Sequence, residues 1–180
     1  LSGIAAGLIM TLKIYCDTSV LPENIDGTDA KSKQELAAVR ELEKLGVEFV
    51  GSHIGRHEAA QTGDQSKQKR LIAEHEALKP VPKDEKPVGF NVTTGPNAAF
   101  VGFFRLADVQ DETIRNELIA KGLEPRDAEH ITQAVCNNCA IFLTRDEKTI
   151  IKKHRPWLEQ RFSKLKVRLP SELLASIQKA

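Results

Sequence analysis

Four short β-favouring runs, separated by stretches with helical periodicity, constrain this chain more than any other feature. The runs are Leu12 to Cys16 (LKIYC), Val47 to Val50 (VEFV), residues 140 to 144 (AIFLT) and Lys166 to Leu169 (KVRL). Each is too short for a helix and carries β-branched or aromatic residues. Strands that alternate with helices are joined by crossovers and therefore lie parallel, in a sheet covered on both faces. At 180 residues, with 41% hydrophobic and 28% charged side chains, the chain can bury one core of its own, so a single domain is expected.

The intervening segments carry start and stop signals. Ser32-x-x-Glu35 has the spacing of a capping box, followed by Leu36, Val39, Leu42 and Leu45 on one stripe and by Gly46 as a stop. Ser52 is placed to cap a helix running through His57, Glu58 and Ala60, and residues 65 to 78 continue helically. A further helix is expected over residues 106 to 121, closed by Gly122. Pro125 then suits the first position of the next helix, with Asp127 in its first turn. One helix holding Ile150, Ile151, Trp157, Leu158 and Phe162 follows the third strand, and a terminal helix follows the last. Pro80, Pro82, Pro87 and Gly89, then Gly95-Pro96, forbid regular helix between residues 80 and 95 and mark an insertion near residues 80 to 104. The sole methionine is Met10, so residues 1 to 9 read as an upstream extension ahead of a domain at 10 to 180.

Acidic residues occupy the carboxyl ends of the expected strands, where open parallel sheets form their sites. Asp17 directly follows the first run, Asp146 lies just past AIFLT, Asp127 opens the helix feeding that run, and Glu58 lies in the helix after the second. Together they would make an all-oxygen cluster whose repulsion is relieved by protonation or by a hard divalent cation such as Mg²⁺ or Mn²⁺. Such a cation lowers the pKa of water and offsets charge on a leaving oxygen, the chemistry of phosphodiester hydrolysis. Taken singly, each acid also has an ordinary role as a strand end, a helix cap or a solvated side chain.

Three segments, in order, resemble the PIN-domain family of nucleases. Tyr15-Cys16-Asp17-Thr18-Ser19-Val20-Leu21 resembles its opening strand, Asp127-Ala128-Glu129-His130-Ile131 its helix start, and Phe142-Leu143-Thr144-Arg145-Asp146 the strand carrying its last acid. Ser52 to Ala59, with Glu58, matches a weaker second motif, and the resemblance spans residues 12 to 175. It implies a three-layer α/β/α sandwich with a central parallel sheet. It also implies a Mg²⁺- or Mn²⁺-dependent endoribonuclease, often the toxin of a toxin-antitoxin pair and often a homodimer. Asp17, Glu58, Asp127 and Asp146 would then be catalytic and metal-binding, with Ser19, Thr144 and His130 supporting them. The segment from Pro80 to Phe104 is longer than compact toxins of that family carry. A non-catalytic PIN-like module that binds RNA or protein is the competing expectation.

Charge is unevenly spread. Residues 145 to 168 hold nine Lys or Arg against three Asp or Glu, a local +6 against a whole-chain +1. Lys152, Lys153 and Arg155 are the expected RNA contacts, with a solvated helix face as the alternative. Three cysteines without framework spacing argue for a reducing compartment, and nothing resembles a membrane span, so a cytoplasmic location is expected. Cys136-x-x-Cys139 falls where a helix ends, which disfavours a thiolate and favours buried apolar thiols. His53 and His57 share a helix face but lack a third ligand. Asp26-Gly27-Thr28 is similar to a phosphatase motif, yet Asn24 stands where the nucleophilic Asp would be, and a turn is expected instead.

Overall fold

The structure, a computed structural model, describes residues 13 to 25, 27 to 80 and 109 to 179. The expected N-terminal extension, Met10, Asp26 and nearly all of the insertion lie outside these residues.

Within them the chain forms a five-stranded sheet: β1 (Ile14–Cys16), β2 (Phe49–Gly51), β3 (Lys79–Pro80), β4 (Ile141–Leu143) and β5 (Lys166–Arg168). The order is β3-β2-β1-β4-β5 and every neighbouring pair is parallel. β1 is therefore central, with Ile14 opposite Ile141 and Cys16 opposite Leu143 on β4. Because side chains alternate along a strand, the two faces feed two separate cores. Tyr15, Phe142 and Val167 point into one, Ile14, Cys16, Ile141 and Leu143 into the other. Burial of every residue in β1 and β4 follows from this double coverage.

Helices supply the outer layers. On one face α1 (Ala30–Lys44) contributes Val39 and Leu42 and packs on α7 (Pro170–Lys179), which contributes Leu173. On the other face lie α4 (Val109–Ala120) with Leu118, α5 (Pro125–Cys136) with Ile131, and a π-helix (Glu147–His154) that runs into α6 (Arg155–Arg161). α2 (His53–Ala60) and α3 (Gln65–Ala77) bury Ala59 and Leu71 against Leu21. The result is the expected α/β/α sandwich. No helix among the described residues is long and apolar enough to cross a membrane.

Three local expectations are corrected. The N-cap of α1 is Asp29, whose Oδ1 accepts the Ser32 amide at 2.8 Å while Oδ2 accepts the Ser32 hydroxyl at 2.7 Å. Ser32 is thus the capped residue, not the cap. Glu35, released from a capping box, reaches the start of α7, where it accepts the Ser171 amide at 2.9 Å and the Ser171 hydroxyl at 2.6 Å. Secondly, the helix expected after β4 is two helices. Pro156 has no N–H to donate backwards, and the wide π-turns give way to α-helix beside it. Thirdly, β3 is a strand the sequence did not announce: it spans two exposed residues, one a proline tolerated because the strand is an edge. The stops at Gly46 and Gly122 are as expected, with φ of 70° and 87°.

Candidate active site

The carboxyl ends of β1 and β4 lie side by side, and the residues following them are tied together by two hydroxyls. The Asp17 amide prolongs the ladder by donating to the Leu143 carbonyl at 3.0 Å. Its side chain is buried, and Oδ2 accepts the Ser19 hydroxyl at 2.6 Å and the Thr144 hydroxyl at 2.7 Å. Each hydroxyl is aimed by a backbone amide from the β4 side: Arg145 N–H donates to Ser19 Oγ at 3.0 Å, and Asp146 N–H to Thr144 Oγ1 at 3.1 Å. Asp146 itself caps the π-helix, its Oδ1 accepting the Thr149 amide at 2.9 Å.

Asp127 joins this group electrostatically. It sits in the first turn of α5, half-buried, and its carboxyl is pushed up from 3.8 to about 6. Burial is the largest cause, followed by the charges of Asp17, Asp146 and Glu124, while His130 acts in the opposite sense. Three carboxylates from β1, α5 and the β4 end therefore share one negative field.

Glu58 stands on a second branch. It lies in the second turn of α2, accepts the Thr18 hydroxyl on Oε2, and has the same oxygen 3.1 Å from His130 Nε2. Burial pushes its carboxyl upward, but the hydrogen bonds from His130 and Thr18 and the charge of Arg126 outweigh it and hold the pKa below the usual range. His130 is almost fully enclosed, its Nδ1 2.8 Å from the Tyr15 hydroxyl, which lies 2.6 Å from Ser52 Oγ. Burial lowers the His130 pKa, and the Glu58 bond with the charges of Asp17 and Asp127 more than reverses it. A line of polar atoms thus runs Ser52, Tyr15, His130, Glu58, Thr18, buried as far as His130 and half-buried at Glu58 and Thr18.

Of the residues singled out from the sequence, the structure joins Asp17, Ser19, Thr144 and Asp146 directly, Asp127 through its field, and Glu58 with His130 through the second branch. Among the described residues no three His, Cys, Asp or Glu side chains stand arranged to hold a metal ion. The donors at the first branch are all carboxylate and hydroxyl oxygens, which suits a hard divalent cation, and the unrelieved repulsion at Asp127 is what such a cation offsets.

Lys152 and Lys153 are exposed on the π-helix, whereas Arg155 is tied to Glu172 of α7 by contacts of 2.9 and 2.7 Å. Tyr15, Thr18 and Ser52 were not anticipated as site residues. The signal available for Tyr15 was its hydroxyl, which needs a partner when buried. Cys136 ends α5 and Cys139 is buried, with its thiol pushed up to about 11 by burial. His53 and His57 are exposed on α2. The sequence matches no protein-family model and no curated protein.

Proposed function

We propose that the protein is a Mg²⁺- or Mn²⁺-dependent nuclease that hydrolyses RNA phosphodiester bonds, as the PIN-domain resemblance implies. The observation that carries this reading is the carboxyl of Asp127, pushed up to about 6 by burial and by Asp17 and Asp146 at the ends of adjacent strands. A structural acid is ordinarily neutralised by its neighbours; a cluster that raises its own member's pKa is poised for a cation. Asp17, Asp127 and Asp146 would hold the cation, which would supply an activated water and charge compensation on the leaving oxygen. The hydroxyls of Ser19 and Thr144 fix which lone pairs of Asp17 remain for binding. Glu58, held ionised by His130 and Thr18, would orient the attacking water or add a ligand.

A specific observation favours a second reading, a PIN-like module that binds RNA or protein without cleaving: Glu58 is satisfied by Thr18 and His130, and no ready three-residue metal group is present among the described residues. Cleavage of a labelled single-stranded RNA with Mn²⁺, compared with EDTA and with Asp17→Asn, separates the two. The nuclease reading expects cleavage with Mn²⁺ alone, lost in the variant; binding without cleavage in every condition leaves the module. We place the protein in the cytoplasm, where thiols such as Cys16 and Cys139 stay reduced. A cognate antitoxin and a homodimer belong to the same proposal, and co-purification with a small partner on co-expression would test them.

A further inference from the structure

Beyond the acidic site, positive charge and aromatic surface meet at the turn between α4 and α5. Lys121 Nζ lies over the Trp157 ring, 5.5 Å from its centroid. A Cβ added to Gly122 would lie 3.7 Å from Lys153 Nζ, so Lys153 borders the same turn from the π-helix. Lys121 and Lys153 are exposed and Trp157 is partly exposed, held edge-on by Phe162 at 6.3 Å. The neighbouring acid Glu117 is taken up by Arg161 through contacts of 2.7 and 3.0 Å, so these two charges cancel and the two lysines face one further acid of the turn, Glu124, for a local net charge of +1.

We propose that Lys121, Lys153 and Trp157 form a docking site for single-stranded RNA, with a base stacked on Trp157 and the flanking phosphates on the two lysines. The chemistry is that of single-strand binding surfaces, in which an aromatic face takes any base and adjacent cations follow the backbone. An exposed ammonium over an indole is a weak contact. A base displaces it readily, and the freed lysine then meets a phosphate. The patch is also close to the acids: Gly122 precedes Asp127 by five residues, at most about 18 Å of chain. A strand seated here therefore lies within a few nucleotides' reach of Asp127. Duplex RNA buries its bases and offers the indole nothing to stack on, so the site selects unpaired strands. The paired guanidinium of Arg155 plays no part, which moves the expected cationic contact from Arg155 to Lys121.

The inference rests on the nuclease reading for its choice of RNA, yet it is tested apart from cleavage. Trp157 is the only tryptophan of the chain, so its fluorescence reports on this site alone. With the full-length protein in EDTA, a short oligouridylate should quench that fluorescence saturably, and a blunt RNA duplex should not. The double variant Lys121→Ala with Lys153→Ala should bind labelled oligouridylate about tenfold more weakly, with a log–log salt slope shallower by about 1.4, two single-strand contacts' worth. Trp157→Leu should lose affinity without changing that slope. Mn²⁺-dependent cleavage with no quenching, or unchanged binding in the lysine variant, overturns the docking site. Equal quenching by polyglutamate overturns it in favour of an acidic protein partner. Quenching without cleavage in any metal overturns the nuclease reading instead and leaves the site standing.

Discussion

The Thr144 hydroxyl donates to Asp17 Oδ2 at 2.7 Å while it receives the Asp146 amide at 3.1 Å, so one side chain at the end of β4 sets the positions of two acids. Thr144 is fully buried, and Thr144→Val keeps its shape while deleting both bonds. The substitution should cost about 1–3 kcal/mol, since Asp17 loses a donor inside the protein. Cleavage should fall at least tenfold and Mn²⁺ should bind more weakly. Calorimetry of the variant against the parent checks both; unchanged Mn²⁺ affinity would remove Thr144 from the site.

The raised carboxyl of Asp127 gives a pH signature. Its folded pKa of about 6 lies above the ordinary 3.8, so between these values the folded chain holds a proton that the unfolded chain has released. The associated stability is present at low pH and is lost as pH rises through 6. Without metal, the parent should therefore gain stability relative to Asp127→Asn as pH falls from 7.5 to 4.5. At pH 7.5 the variant should be the more stable of the two. Denaturant midpoints at several pH values provide the measurement; the difference between the proteins removes the contributions of Glu58 and His154, while His130, whose pKa the charge of Asp127 helps to raise, is followed separately by its ring NMR signals. A flat difference would mean that neither burial nor the charges of Asp17 and Asp146 raise the Asp127 carboxyl.

Tyr15→Phe removes one oxygen from the line joining Ser52 to His130 and keeps the ring stacked on Phe142 at 5.7 Å. Two enclosed polar groups lose a partner, so stability should drop by about 1–3 kcal/mol. If His130 acts by aiming at Glu58, kcat should fall about tenfold while KM for RNA stays within a factor of two. Steady-state kinetics decide the matter, because a purely structural tyrosine would leave kcat of the folded fraction unchanged.

Glu35 provides a control away from the site. Its buried carboxylate caps α7 through Ser171, so Glu35→Ala should lower the melting temperature by about 2–8 °C, from a lost cap worth about 1–2 kcal/mol. Cleavage measured well below melting should be unaffected.

The centre of the fold was legible because β1 and β4 are buried on both faces and carry the apolar, β-favouring residues that such burial demands. Asp17 and Asp146 were legible for a related reason, since their position past a strand end follows from the strands themselves. Features fixed by distant partners were not. β3 owes its existence to pairing with β2, not to its own two exposed residues. The Glu58–His130 contact joins residues 72 apart on α2 and α5, and no local pattern encodes it. The Ser32 motif misled because Asp29, three residues earlier, is an equally good capping residue and the helix took the longer option.

The central claim is that Asp17, Asp127 and Asp146 form a cation site, and Mn²⁺-linked stabilisation tests it most directly. A ligand that binds only the folded chain raises stability by about 2.7 kcal/mol at one hundred times its Kd, and a chain of this size gains about 2–4 °C per kcal/mol. Melting curves at pH 7.5 should therefore rise by several degrees as Mn²⁺ is added to the parent, and should not move for Asp17→Asn or Asp127→Asn. Melting temperatures that stay constant across the Mn²⁺ titration of the parent, or that rise equally in all three proteins, would contradict the account.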